Sequence, residues 1–285
     1  VTQDFVTAAT VAGSAAFDPD ASPPTRYDPG PAFIGLDLRP GRVVLIGSPP
    51  GSGKTAATLQ IAVDVLRNHP DMKAMIANAE TLPEDLLARI LARLAELLVG
   101  KIMDKSLSRQ EKDRLKATLA EHNEALARLA FLKPPFSLDH LAGASDKFRA
   151  KLIVVDYIQR FGHGKDQREE LDGCMSNIRG FALEGAAMLV VSSIARHKNR
   201  NGSTYDGANL ASYRGSGELE FGADSAYLLR SDMSAGIAGL ECVKARFHRP
   251  ANINLRFSPE YQRFDPGDPL DGFDAAPGAG GKKGK

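Results

Sequence analysis

Residues 48–55, Ser48-Pro49-Pro50-Gly51-Ser52-Gly53-Lys54-Thr55, have the types and the order needed to hold a polyphosphate. Gly51 and Gly53 let successive backbone amides curl around phosphate oxygens. Lys54 can reach the β and γ phosphates, and the Thr55 hydroxyl can hold Mg²⁺. Pro50 and Ser52 complete the loop, and Ser48 stands where such loops usually begin with Gly or Ala, a small-for-small exchange. Two acids could complete the chemistry. Asp156 ends the apolar run Leu152-Ile153-Val154-Val155, and a carboxylate at the end of a strand beside a phosphate loop is a second ligand for nucleotide-bound Mg²⁺. The next residue is Tyr157 rather than Glu, so the base that polarises an attacking water must lie elsewhere, and Glu80 is the candidate.

These residues need elements to position them. Arg42 to Gly47 is a short apolar, β-branched run and Ala56 to Ala62 a helical one, so the loop joins a buried strand to a helix N-terminus whose dipole favours anions. Lys73 to Asn78 reads as a second buried strand with Glu80 just beyond it. Thr81-Leu82-Pro83-Glu84 then reads as a capping box opening a helix that carries Leu86, Leu87, Ile90, Leu91, Leu94, Leu97 and Leu98 on one face. Further strands are expected at 130–132, 151–156 and 188–193, with closing strands at 226–229, 240–244 and 252–257. Helical periodicity covers 101–130, and residues 162–187 run from a polar loop, Gly162 to Arg168, into a helix carrying Leu171, Met175, Ile178 and Phe181. The fold class is α/β, with a mostly parallel sheet flanked by helices and closed by antiparallel strands.

Composition narrows the function. Lys+Arg 36 against Asp+Glu 35 gives a net charge of +1, so a nucleic-acid partner must be met by a local patch. Such patches exist at 162–168, with Lys165 and Arg168, and at 196–214, with Arg196, Lys198, Arg200 and Arg214. A basic, glycine-containing segment can be an exposed loop or a loop that tracks a phosphodiester strand, and composition leaves both open. The two cysteines, Cys174 and Cys242, and six histidines have no metal-ligand spacing, which reads as buried free thiols in a reduced cytoplasmic setting. No apolar run reaches the length of a membrane span. Residues 1–34 read as an arm, 35–264 as the working domain and 265–285 as a disordered tail of Gly, Ala, Pro and Lys.

With these pieces placed, the chain resembles the motor domain of DnaB-type replicative helicases, a branch of the RecA-like P-loop ATPases. The resemblance runs from about Gly35 to Phe264. Pro50 is shared with the family's loop, and Asn78-Ala79-Glu80-Thr81 stands where the family carries a Ser-Leu-Glu-Met-like segment with the catalytic glutamate. The run from Leu152 to Gln159 is nearly Leu-Ile-Val-Ile-Asp-Tyr-Leu-Gln. The run from Tyr213 to Asp224 is similar to Leu-Arg-Glu-Ser-Gly-Ser-Ile-Glu-Gln-Asp-Ala-Asp, Lys244-Ala245-Arg246 matches a Lys-x-Arg motif, and Phe257 to Phe264 matches the closing strand and turn.

The resemblance implies an ATP-hydrolysing ring of six subunits that moves on single-stranded DNA in replication, with a replication initiator or loader as a further partner. It implies that Glu80 is the base, that ATP and Mg²⁺ are the cofactors, and that Lys244 and Arg246 act on the neighbouring subunit's nucleotide, where the residues alone would allow two cations on an exposed strand. Arg214 can contact the strand or brace its own loop. Ser193 departs from the family, replacing a glutamine that senses the γ-phosphate. The helical N-terminal domain of family members does not fit in residues 1–34, which leaves a cut chain and a compact single-domain relative both open. Three functions compete: a 5′–3′ helicase or translocase, a RecA-like ATPase that binds single strands as a loader or recombination factor, and a nucleotide-regulated assembly protein without DNA. Lys244, Arg246 and the basic segment favour the first over the third.

Overall fold

The computed structural model describes residues 6–12, 14, 25–162, 167–194, 197–199, 202–204 and 217–268. Most of the proposed tail and much of the proposed arm therefore lie outside the described residues. The strands are β1 (Val43–Ser48), β2 (Ala74–Asn78), β3 (Leu129–Phe131), β4 (Leu152–Asp156), β5 (Ala187–Ser193), β6 (His197–Asn199), β7 (Gly202–Thr204), β8 (Ser225–Asp232), β9 (Ile237–Ala245), β10 (Ile253–Ser258) and β11 (Arg263–Pro266). The helices are α1 (Ala8–Ala12), α2 (Lys54–Asn68), α3 (Pro83–Ala95), α4 (Val99–Met103), α5 (Arg109–Glu121), α6 (Asn123–Ala127), α7 (Leu138–Phe148), α8 (Gln167–Leu183) and α9 (Gly217–Gly222).

Among the described residues nine strands form one sheet in the order β11-β10-β9-β8-β1-β5-β4-β2-β3. The strands from β8 through β3 run parallel, and β8 to β11 close the sheet as antiparallel neighbours. Parallel strands joined by helical crossovers are covered on both faces, which explains why β1, β2 and β4 are continuous apolar runs buried throughout. Alternate residues feed two cores. Val44, Ile46, Ile76, Val154 and Leu189 pack with α2, α3 and the ring pair Phe257 and Phe264. Val43, Leu45, Met75, Ile153 and Val190 pack on the other side with α7 and α8.

Four local expectations need correction. Part of the expected arm belongs to the core: Tyr27 and Phe33 are buried, and the Tyr27 amide donates to the Leu38 carbonyl at 2.8 Å. The capping box at Thr81 does not form. Pro83 takes the first helical position, so the N-cap shifts to Leu82, which caps nothing with its side chain. The leucine face also ends early. Glu96 adopts a left-handed conformation that stops α3, so Leu97 is buried beyond the helix and Leu98 is exposed. A full capping box occurs at Ser108 and Glu111, opening α5. The segment expected as a basic loop contains the antiparallel β6–β7 hairpin.

Candidate active site

The phosphate loop leaves the end of β1 and enters α2 through Gly53, the helix N-cap, with φ of 88°. Two constraints fix glycine there. The left-handed backbone disfavours a side chain, and a Cβ would lie 2.9 Å from the Phe257 ring and 3.0 Å from the Phe264 ring. At Gly51 the left-handed φ of 80° alone favours glycine, since a Cβ would meet nothing within 4 Å. The Pro49 carbonyl accepts from the Ser52 hydroxyl at 2.8 Å and from Lys54 Nζ at 3.2 Å, which folds the lysine back over the loop. Ser48 is wholly buried in the β1–β5 ladder, opposite Ser193, and its hydroxyl donates to the Pro49 carbonyl at 3.2 Å. Pro50 is exposed at the loop's tip. A cleft of about 190 Å³ opens beside the loop, lined by Lys54, Thr55, Arg89, Met233, Phe257 and Gln262 among others.

The acids are joined by one asparagine. Thr55 Oγ1 donates to Asp156 Oδ2 at 2.7 Å, and Asn78 Nδ2 donates to the same oxygen at 2.9 Å. Asn78 Oδ1 in turn accepts the backbone N–H groups of Glu80 at 3.0 Å and Thr81 at 2.8 Å. The linkage follows from topology, because β2 lies beside β4 with Asn78 opposite Asp156. Burial pushes the Asp156 carboxyl up from the usual range, while the Thr55 hydroxyl, the nearby Lys54 charge and Asn78 pull it back. A buried carboxylate and a hydroxyl at this spacing are hard oxygen donors that fit Mg²⁺. Glu80 is more exposed. Its Oε1 accepts from Arg160 at 2.6 and 3.1 Å and from the Tyr157 hydroxyl at 3.1 Å.

The comparisons decide the family. The model for the DnaB-like helicase C terminal domain matches residues 34–266. The chain belongs to the DnaB-like helicase family. This makes it an ATP-driven DNA helicase domain of the replicative type, with the RecA-like fold of that family. No curated protein matches. Among solved structures it is similar to the ATPase domain of G40P, with a TM-score of 0.73 at 17% identity, covering 84% of this chain and 91% of that one. It is also similar to a DnaB-like replicative helicase studied with primase, with a TM-score of 0.74 at 19% identity, covering 85% of this chain and 63% of that one.

In this DnaB-like domain Lys54, Thr55, Glu80 and Asp156 converge on the carboxyl edge of the parallel strands, while Lys244 and Arg246 do not. Ala245 pairs with Ser225, which lies beside Val44 near the start of β1, so Arg246 just beyond it sits at the opposite edge from the phosphate loop, with Lys244 one step nearer. The length of β1 separates the two edges, about 15 Å or more. Arg246 donates to Asp224 at 3.3 Å and to the Phe221 carbonyl at 2.9 Å, and Lys244 donates to that carbonyl at 3.3 Å. Asp224 also accepts from Arg179 at 2.6 Å and from the Val43 amide at 2.9 Å. Lys165, Arg196, Arg200 and Arg214 lie outside the described residues, as do the side chains of Arg168 and Lys198.

Sequence reasoning missed Asn78, Arg160, Gln159 and Asp224 as site residues. Gln159 Nε2 donates to the Ser192 hydroxyl at 2.7 Å and its Oε1 accepts the Ser193 amide at 3.3 Å, tying the exit of β4 to that of β5. Asn78 faces the acid only through the register of β2 on β4, and nothing in the sequence pairs Arg160 with Glu80. Among the described residues no three His, Cys, Asp or Glu side chains form a metal cluster, and no helix is long and apolar enough to cross a membrane.

Proposed function

We propose that this domain hydrolyses ATP at the boundaries between subunits of a hexameric ring and uses the cycle to move along single-stranded DNA. The loop from Ser48 to Thr55 holds the triphosphate, with Lys54 on its outer phosphates. The Thr55 hydroxyl and the Asp156 carboxylate hold Mg²⁺, which supplies charge neutralisation when bound. Glu80 accepts a hydrogen bond from the attacking water, and Asn78 sets where that carboxylate starts from. Lys244 and Arg246 stabilise charge on the transferring group of the adjacent subunit. The observation that carries this reading is the split site: the base and metal side chains share one edge of the sheet while the two cations occupy the other, too far to serve the same nucleotide.

The finer assignments follow the same reading. Residues 35–264 form the motor together with the buried segment around Tyr27 and Phe33, the residues before that segment form an arm and 265–285 a tail, in a cytoplasmic protein. Lys165, Arg168, Arg196, Lys198, Arg200 and Arg214 grip the strand by its phosphates, and an initiator or loader places the ring on DNA. Gln159, bonded to both ends of the β5 exit, offers the link between nucleotide and loops that the family glutamine would give at Ser193. Steady-state ATP hydrolysis with and without oligothymidylate tests the proposal. DNA should stimulate turnover, and Glu80→Gln should abolish it while leaving ATP binding intact. Turnover indifferent to DNA, or surviving Glu80→Gln, would overturn it.

A further inference from the structure

One oxygen of the Glu80 carboxylate is already taken by its own chain. Three donors, Arg160 Nη2, Arg160 Nε and the Tyr157 hydroxyl, converge on the single oxygen Oε1 at 2.6, 3.1 and 3.1 Å. A carboxylate engaged in this way has less electron density to offer a water and is turned toward the arginine. The two ends of the pair differ in freedom. Glu80 hangs from a backbone pinned by Asn78, and Arg160 ends a 3₁₀ turn, Ile158–Arg160, anchored by the wholly buried Ile158 and by Gln159 on β5. Both backbones are fixed, while the side chains are 44% and 54% exposed, so the ion pair is the part that can exchange.

We infer that Arg160 is a brake on Glu80, a positioning residue whose guanidinium holds the carboxylate until a phosphodiester oxygen of single-stranded DNA draws it away. The chemistry favours such an exchange. An exposed ion pair adds little net stability, and a guanidinium matches a phosphate through two parallel hydrogen bonds, so the competitor need not be strong. The location suits it as well, since Arg160 leaves the carboxyl end of β4 next to Asp156, at the sheet edge that holds the nucleotide. Binding of the strand then reaches the base without movement of the sheet: the arginine changes partner and Glu80 becomes available to water.

The inference rests on Glu80 as the base, and the test separates the two. ATP hydrolysis by the full chain is measured for wild type, Arg160→Ala, Arg160→Lys, Glu80→Gln and the double variant Glu80→Gln/Arg160→Ala, each with and without oligothymidylate. Releasing an exposed ion pair should raise the DNA-free kcat of Arg160→Ala about two- to five-fold, with KM for ATP unchanged. Its stimulation by DNA should fall by the same factor, because the stimulated rate stays near wild type. Arg160→Lys should restore part of the restraint, and the double variant should be as slow as Glu80→Gln alone. An unchanged or lower DNA-free rate in Arg160→Ala overturns the brake. Acceleration with undiminished stimulation also overturns it, because the phosphate that frees Glu80 would then be the nucleotide's own. A double variant faster than Glu80→Gln shows Arg160 acting elsewhere. Turnover that survives Glu80→Gln refutes the base assignment itself.

Discussion

Replacing Asn78 with alanine should damage catalysis more than nucleotide binding, because this side chain bonds Asp156 and the Glu80–Thr81 turn and not the phosphate loop itself. Asn78→Ala removes one hydrogen bond to a carboxylate, worth about 1.5–3 kcal/mol, and two from backbone amides, worth about 1 kcal/mol each. Water can reach the half-buried Thr81 and exposed Glu80 amides once the side chain is gone, so their share shrinks and the total is about 3 kcal/mol. In a domain of this size that corresponds to a fall in melting temperature of about 6–12 °C. Loss of the fixed starting point of Glu80 should cut kcat about 100-fold, since misplacement by an ångström has that effect, while KM for ATP changes little. Asn78→Asp makes a sharper comparison. It keeps the acceptor for both amides but sets a second carboxylate against buried Asp156, so it should lose activity with a smaller loss from the turn itself. Thermal melts and steady-state hydrolysis measure both effects. If Asn78→Ala melts within about 1 kcal/mol of wild type and keeps kcat within about twofold, Asn78 does not position the base.

Two further outcomes follow from charge placement. Asp224→Asn leaves Arg179 and Arg246 without their shared, buried carboxylate; because both arginines are partly exposed, the cost should be about 2–3 kcal/mol in denaturant unfolding, with slower hydrolysis and unaltered ATP binding. The Glu111 carboxyl is lowered to about 2 by its hydrogen bond to Lys101 and by the Ser108 amide and hydroxyl. A depressed carboxyl contributes stability above its unfolded value near 4.5 that is lost as pH falls toward 2. The melting gap between wild type and Glu111→Gln should therefore be full at pH 7 and close across that window.

Much of the fold was legible because parallel strands buried on both faces leave unmistakable apolar runs: β1, β4 and β5 fell where Val, Ile and Leu cluster, and β2 on the apolar run Ala74-Met75-Ile76-Ala77. The phosphate loop was legible because its geometry leaves few residue choices, as the fit of Gly53 under Phe257 shows. Failures came where a local rule met a stronger neighbour. Thr81 satisfied a capping pattern, but Pro83 set the start of the helix and Asn78 claimed the Thr81 amide. The links among Asn78, Asp156, Arg160 and Glu80 were not legible, because they depend on which strands lie side by side. β2 and β4 are adjacent in the sheet but separated by more than seventy residues of chain, and no local pattern carries that register. Arg246 illustrates the same limit: its motif suggested a role, and only the antiparallel return of β9 puts it at the far edge.

The most direct test of the split site is a mixing experiment with Glu80→Gln and Arg246→Ala. Each variant alone should be inactive in DNA-stimulated ATP hydrolysis, because every boundary in its ring lacks one of the two groups. Mixed in equal amounts, about one boundary in four joins an intact Glu80 to an intact Arg246, so hydrolysis should reappear at a fraction of the wild-type rate. If the mixture stays as inactive as its components although mixed rings form, the cations at the far edge of the sheet do not complete a neighbour's site, and the shared active site is wrong.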